Sequence, residues 1–76
     1  MPKLPTITPK KLIKVFERLG FQIDHTSGSH FVLYHAVDKK RVTIPSHAKD
    51  LPKGTLLAIL RQAEIDKDQL SDLLNN

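Results

Sequence analysis

At 76 residues the chain has room for one domain, spanning residues 1–76, and one modest core. It has no cysteine, which excludes disulfides, thiolate metal sites and a cysteine nucleophile. No apolar run nears the roughly 20 residues of a membrane span and no signal-peptide core is visible, so a cytoplasmic protein with no membrane partner is expected. The formal net charge is +4, unevenly spread: residues 1–61 carry eleven Lys/Arg against four Asp/Glu, residues 62–76 one lysine against four acids. A basic body with an acidic tail fits a polyanionic partner such as nucleic acid, and equally a merely solvated Lys-rich surface.

Residues 1–7, with Pro2 and Pro5, read as an extended lead-in. Thr8-Pro9 then supplies an N-cap and a first-turn proline. Leu12, Ile13, Val15, Phe16 and Leu19 recur at helical spacing, so a helix is predicted over about residues 9–19. Gly20 is placed to take the left-handed position that ends it. Phe21-Gln22-Ile23-Asp24-His25 alternates and reads as a first strand. Ser27-Gly28-Ser29 turns the chain into the most β-prone run, about His30 to Ala36. Asp38-Lys39-Lys40 is a polar turn, and Arg41-Val42-Thr43-Ile44 is a third strand stopped by Pro45. Ser46 to Pro52 is a loop. Gly54 and Thr55 open a helix with Leu56, Leu57, Ile59, Leu60 and Ala63 as its apolar stripe. Asp66 caps a short last helix, with Gln69 in the capping-box position and Leu70, Leu73 and Leu74 buried.

Three antiparallel strands with helices on one face make an α+β sandwich, the arrangement of double-stranded-RNA-binding domains. A two-residue loop at Asp38-Lys39 pairs Val37 with Lys40, His35 with Val42 and Leu33 with Ile44, and a four-residue loop keeps the same parity. Either way Phe31, Leu33, Val42 and Ile44 share the core face. His30, Val32, Tyr34, Arg41 and Thr43 share an open one.

Four histidines raise the possibility of a metal site, but no H-x-x-x-H or H-E-x-x-H pattern occurs. The spacing of five between His25, His30 and His35 would put consecutive rings on opposite faces of a strand, so no metal site is expected. Ser29 adjoins His30, where strand neighbours point apart, and no nucleophile elbow is present. Ser27 and Ser29 read as turn formers. What remains is His30, held at a strand start beside a glycine turn, on a basic surface. It is either a half-exposed strand residue or a group aimed at a ligand. For RNA one histidine can suffice, because the ribose 2′-OH is a built-in nucleophile that needs only proton transfer.

The chain resembles the HicA-type toxins, the mRNA-interferase half of HicA–HicB toxin–antitoxin pairs. The resemblance runs through Leu19-Gly20-Phe21, Ser27-Gly28-Ser29-His30, Arg41-Val42-Thr43-Ile44-Pro45, His47, and Leu51-Pro52-Lys53-Gly54-Thr55-Leu56 into Ile59-Leu60-Arg61-Gln62-Ala63. It implies a double-stranded-RNA-binding-like fold and an mRNA endoribonuclease. It implies His30 as the catalytic histidine, positioned by Ser27, Gly28 and Ser29, with neutralisation by a HicB-type antitoxin and no cofactor. Many family members carry a second histidine directly after the first, where this chain has Phe31. Under this reading Lys39, Lys40 and Arg41 contact phosphates, the plain alternative being a solvated hairpin; Tyr34 either stacks a base or simply covers the sheet, and His47 either supports the site or contacts RNA, or else caps its loop. The alternative is a non-catalytic double-stranded-RNA-binding module of the same fold, gripping RNA through Lys49 and Lys53. It has no need of His30.

Overall fold

Thr8 starts the first helix by accepting, through Oγ1, a hydrogen bond from the Lys11 backbone N–H at 3.2 Å, and Pro9 fills the first turn. The computed structural model describes residues 6–47 and 49–75. In it α1 spans Pro9–Arg18 and buries Leu12, Ile13, Val15 and Phe16. The helix ends in a Schellman motif. Gly20 adopts φ +103°, its N–H donates to the Glu17 carbonyl at 3.1 Å, and the Phe21 N–H reaches the Phe16 carbonyl at 3.0 Å. The accompanying apolar contact is present too, with the Phe16 and Phe21 rings 5.1 Å apart. Ile7 is not lead-in. It is buried, and its carbonyl accepts from the Leu51 N–H at 2.9 Å, which ties the entry to α1 against the later loop. The rest of the expected lead-in, apart from Thr6, lies outside the described residues.

Strands β1 (Gln22–Ser27), β2 (His30–His35) and β3 (Lys40–Pro45) form an antiparallel sheet in sequence order. Gly28 and Ser29 make a two-residue hairpin loop between Ser27 and His30, with only Gly28 at positive φ (+56°), the pattern of a type II′ turn. The second hairpin closes over four residues, Ala36 to Lys39, and pairs His35 with Lys40, Leu33 with Val42 and Phe31 with Ile44. The tighter loop at Asp38-Lys39 is therefore not used. His35 provides the reason: its Nδ1 accepts from the Asp38 N–H at 3.0 Å, and Lys39 takes φ +55°, which together close the longer turn. Parity survives, so Leu33, Val42 and Ile44 are fully buried and Phe31 packs partly against them.

In β1 the alternation breaks at Asp24, an extra residue between the Ile23–Leu33 and His25–Val32 pairs. The bulge bends an edge strand, and Ile23 stays 46% exposed. Helix α2 (Lys53–Ala63) buries Leu56, Ile59, Leu60 and Ala63 and ends at Glu64 in the left-handed conformation. Leu57 was expected in the apolar stripe but is only half-buried, because it lies to one side of the face that packs on β3. Helix α3 (Lys67–Leu74) is capped by Asp66, whose Oδ1 accepts from the Gln69 N–H at 2.7 Å. Leu70 is fully buried, and Leu73 and Leu74 pack partly against the core. The result is an α+β layer pair: helices on one face of the sheet, and the other face open.

Candidate functional site

The open face can be laid out from the strand registers. Each strand contributes alternate residues, and pairing sets them in three rows: Gln22, Tyr34 and Arg41; then His25, Val32 and Thr43; then Ser27, His30 and Pro45. Val32, at the centre, is 8% exposed although it lies outside the main core, so its neighbours across the strands close over it. It gives the face an apolar floor ringed by polar groups.

His30 occupies the third row, where the turn delivers it. Gly28 supplies the positive φ, Ser27 pairs directly with His30, and Ser29 receives an extra tie. Pro45, opposite His30 in a non-hydrogen-bonded pair, turns its nitrogen to the free edge of β3, where a missing N–H costs no ladder bond. Beyond it the Ser46 N–H donates to the Ser29 carbonyl at 2.6 Å. The turn is thus held on both sides while the imidazole is exposed and has no hydrogen-bond partner among the described residues. His47 follows Ser46 and is exposed, as are Lys49 in the loop and Lys53 at the start of α2. Because β3 ends beside the start of β2, His47, two residues past Pro45, leaves the sheet at the His30 end, while Lys49 and Lys53 lie further along the chain toward α2.

The basic hairpin is at the other end. Tyr34 and Arg41 pair four residues along β2 from His30, about 13 Å at strand rise. Two of its three cations are also committed. Lys40 points to the helical side and pairs with Glu64 at 2.7 Å, with Asp38 at 4.0 Å. The Glu64 carboxylate holds Lys40 above the ordinary lysine range, and the Lys40 ammonium holds Glu64 below the ordinary carboxylate range. Arg41 lies over the Tyr34 ring, 4.8 Å from its centroid, and its Nη1 donates to Asp24 Oδ2 at 2.9 Å. Lys39 alone of the three is exposed with no partner among the described residues. Lys39, Lys40 and Arg41, expected as phosphate contacts, thus do not form one patch with His30, because alternate strand residues face opposite sides and local acids pair with two of the three. The same stacking with Arg41 covers one face of Tyr34.

Sequence reasoning passed over His25. Its Nδ1 lies 2.8 Å from Asp24 Oδ2, the oxygen that also receives Arg41. The hydrogen bond from His25, then that from Arg41, holds the Asp24 carboxyl below its usual range. The five-residue spacing to His30 suggested opposite faces, but a hairpin turn intervenes. Since His25 pairs with Val32 and Ser27 with His30, His25 and His30 are diagonal neighbours on one face. The signal lay in the Gly28-Ser29 loop, since a two-residue hairpin fixes the pairing. His35 does point the other way. It is half-buried, its Nε2 lies 3.0 Å from the Leu19 carbonyl, and it meets the Phe21 ring edge-on at 5.0 Å. It is an anchor between α1 and the second hairpin.

A cleft of about 390 Å³ opens beside Tyr34, lined by Gly20, Asp24, His35 and Val37 among others, and does not include His30. An extended polymer lying across the open face needs no such cavity. Among the described residues no group of three His, Asp or Glu is placed to hold a metal ion, and no helix is long and apolar enough to cross a membrane. Two imidazoles and a guanidinium clamped by a carboxylate on an exposed sheet face, with exposed lysines in the adjoining loops, have the chemistry to bind a phosphodiester and move protons at it. The family whose model matches the chain, over residues 9–65, is described as the HicA toxin of bacterial toxin–antitoxin systems. No curated protein matches.

Proposed function

From the chain's membership of the HicA toxin family, which it belongs to through α1, the whole sheet and α2, we propose that it is an endoribonuclease toxin that cleaves mRNA with His30 as an acid–base group and is silenced by a HicB-type antitoxin. One observation carries the reading: an exposed imidazole, free of hydrogen-bond partners among the described residues, fixed to a doubly tied turn on the open side of the sheet. A structural histidine in this molecule looks different, as His35 does with both ring nitrogens engaged.

The chemistry follows from the substrate. The 2′-OH attacks the adjacent phosphorus, the 5′-oxygen leaves, and the products are a 2′,3′-cyclic phosphate and a 5′-hydroxyl. The protein supplies proton transfer and positive charge for the phosphorane-like transition state. Exposed His47 at the His30 end, with exposed Lys49 and Lys53 further along the chain, are the phosphate and RNA contacts of this reading. No cofactor is required. An antitoxin of the HicB type would act by covering the open face, and the clamped Arg41 and the exposed lysines offer it acidic-partner contacts.

The alternative, a module that grips double-stranded RNA without cutting it, draws support from the exposed Lys49 and Lys53 near the start of α2. The deciding assay is wild type against His30→Ala on end-labelled RNA in EDTA, with circular dichroism on both. Loss of cleavage by about 10²–10⁴-fold with the fold retained is the expected result. Equal cleavage by the two proteins removes His30 from the chemistry. Tight binding by a folded wild type that cuts nothing moves the assignment to the binding module.

A further inference from the structure

The open face holds a second imidazole in a catalytic attitude. We infer that His25, oriented by Asp24, is the general base of the RNA cleavage proposed above, and that His30 is its partner acid. The inference rests on that proposed activity and names the group that one histidine alone leaves missing.

In-line displacement at phosphorus places the attacking and leaving oxygens on opposite sides. A proton must leave the 2′-OH on one side and reach the 5′-oxygen on the other. One imidazole at a fixed strand position can give cleavage by assisting one of these transfers, but it leaves the other unassisted. The register supplies two. His25 pairs with Val32, two residues along β2 from His30, on the same face. Diagonal neighbours of this kind stand about 7–8 Å apart between backbones. That leaves room for one phosphate between the rings, above the buried Val32 side chain.

The two rings are not equivalent. The Asp24 carboxylate only accepts hydrogen bonds, so His25 donates to it from Nδ1 at 2.8 Å. Its Nε2 is then the nitrogen with a free lone pair, and the ring is 54% exposed. Taking a proton there makes an imidazolium that already faces a carboxylate, the arrangement by which a carboxylate supports a histidine base. His30 has no carboxylate neighbour among the described residues to hold a proton back from a leaving group. Arg41, donating to the same Asp24 oxygen from across Tyr34, limits how far the acid can move and keeps the ring aimed.

The balanced step is as follows. The 2′-OH proton passes to His25 Nε2 as the O2′–P bond forms. The P–O5′ bond breaks as the His30 imidazolium gives its proton to O5′. Exchange with water afterwards returns both rings to their starting states.

The test uses the full chain and an RNA whose cleavage position has been mapped with wild type. A second substrate carries a 5′-phosphorothiolate at that position, because a thiolate leaves without protonation. His25→Gln and His25→Ala are expected to lower single-turnover cleavage of ordinary RNA by about 10²–10⁴-fold. RNA affinity and circular dichroism should stay at wild-type values. The defect should persist on the thiolate RNA, whereas that of His30→Ala should be largely relieved. Cleavage by both His25 variants within threefold of wild type, with His30→Ala inactive, overturns the role of His25 and leaves the proposed function standing. Loss of RNA affinity in step with cleavage makes His25 a binding contact and overturns it too. Relief of the His25 variants by the thiolate would refute the base assignment. A wild type that cleaves neither RNA overturns this inference together with the activity it rests on.

Discussion

Gly20→Ala should cost more than its place at a helix end suggests. Gly20 sits at φ +103°, where an L side chain is strained by about 1–2 kcal/mol. A Cβ built there also lies 2.7 Å from His35 Nε2 and 3.2 Å from its Cδ2. The ring cannot give way cheaply, since Nε2 donates to the Leu19 carbonyl at 3.0 Å while Nδ1 accepts from the Asp38 N–H at 3.0 Å. Displacing it forfeits two hydrogen bonds of about 1 kcal/mol each. The expected loss is therefore about 2–4 kcal/mol, read as a urea midpoint shift at constant slope. A double-mutant cycle separates the two parts. In a His35→Ala background the ring is already gone, so Gly20→Ala should cost only the backbone strain, and the coupling should be about 1–2 kcal/mol. The same cost for Gly20→Ala with and without His35 would refute the steric argument.

Leu60→Ala, at a site 2% exposed, should cost about 2–5 kcal/mol, whereas Leu57→Ala, only half-buried, should cost clearly less in the same urea titration. The carboxyls of Asp24 and Glu64 are held below their ordinary values of 3.8 and 4.5 by His25 with Arg41 and by Lys40. Depressed folded-state values mean that their contribution is present above those ordinary values and lost as pH falls through the lower folded ones. Asp24→Asn and Glu64→Gln should therefore flatten the acid limb of a stability–pH curve, and an unaltered limb would disprove the pairing. In a salt titration of RNA binding, Lys49→Ala with Lys53→Ala should reduce the log–log slope by about 1.4–1.8. Lys40→Ala should change it by well under one unit, because that ammonium already pairs with Glu64.

The helix boundaries were open to reading because each is written in local chemistry. Thr8-Pro9, Gly20 and Asp66 act within a turn or two of chain, and each does in the structure what its residue type suggests, although the Gln69 side chain makes no return bond to Asp66 among the described residues. The core face of β2 and β3 was likewise readable from alternation. What failed were properties settled between elements. The bulge at Asp24 has no residue signature of its own. The second hairpin's length depends on His35 reaching Asp38. Lys40 and Arg41 look like a basic cluster in the chain, yet their partners Glu64 and Asp24 are 24 and 17 residues away. The place of His30 at a strand start beside its turn was readable, whereas its proposed role came from the family resemblance and not from the turn. His25 was missed because a same-strand periodicity was applied across a hairpin, where pairing and not spacing decides the face.

The sheet is one residue thick, and this divides selection on it in two. Along β2 the odd positions Phe31 and Leu33 answer to folding, as does the buried Val32, while His30 and Tyr34 at the other even positions line the open face. A variant library of this strand should then lose foldedness at Phe31, Val32 and Leu33, and the proposed cleavage without foldedness at His30 and Tyr34. Inactive variants would accumulate as intact, well-packed proteins. A single-residue insertion in either hairpin would be different in kind, because a one-residue slip exchanges the two sets and abolishes both properties together. Point mutations can disarm this molecule without unmaking it, whereas insertions cannot.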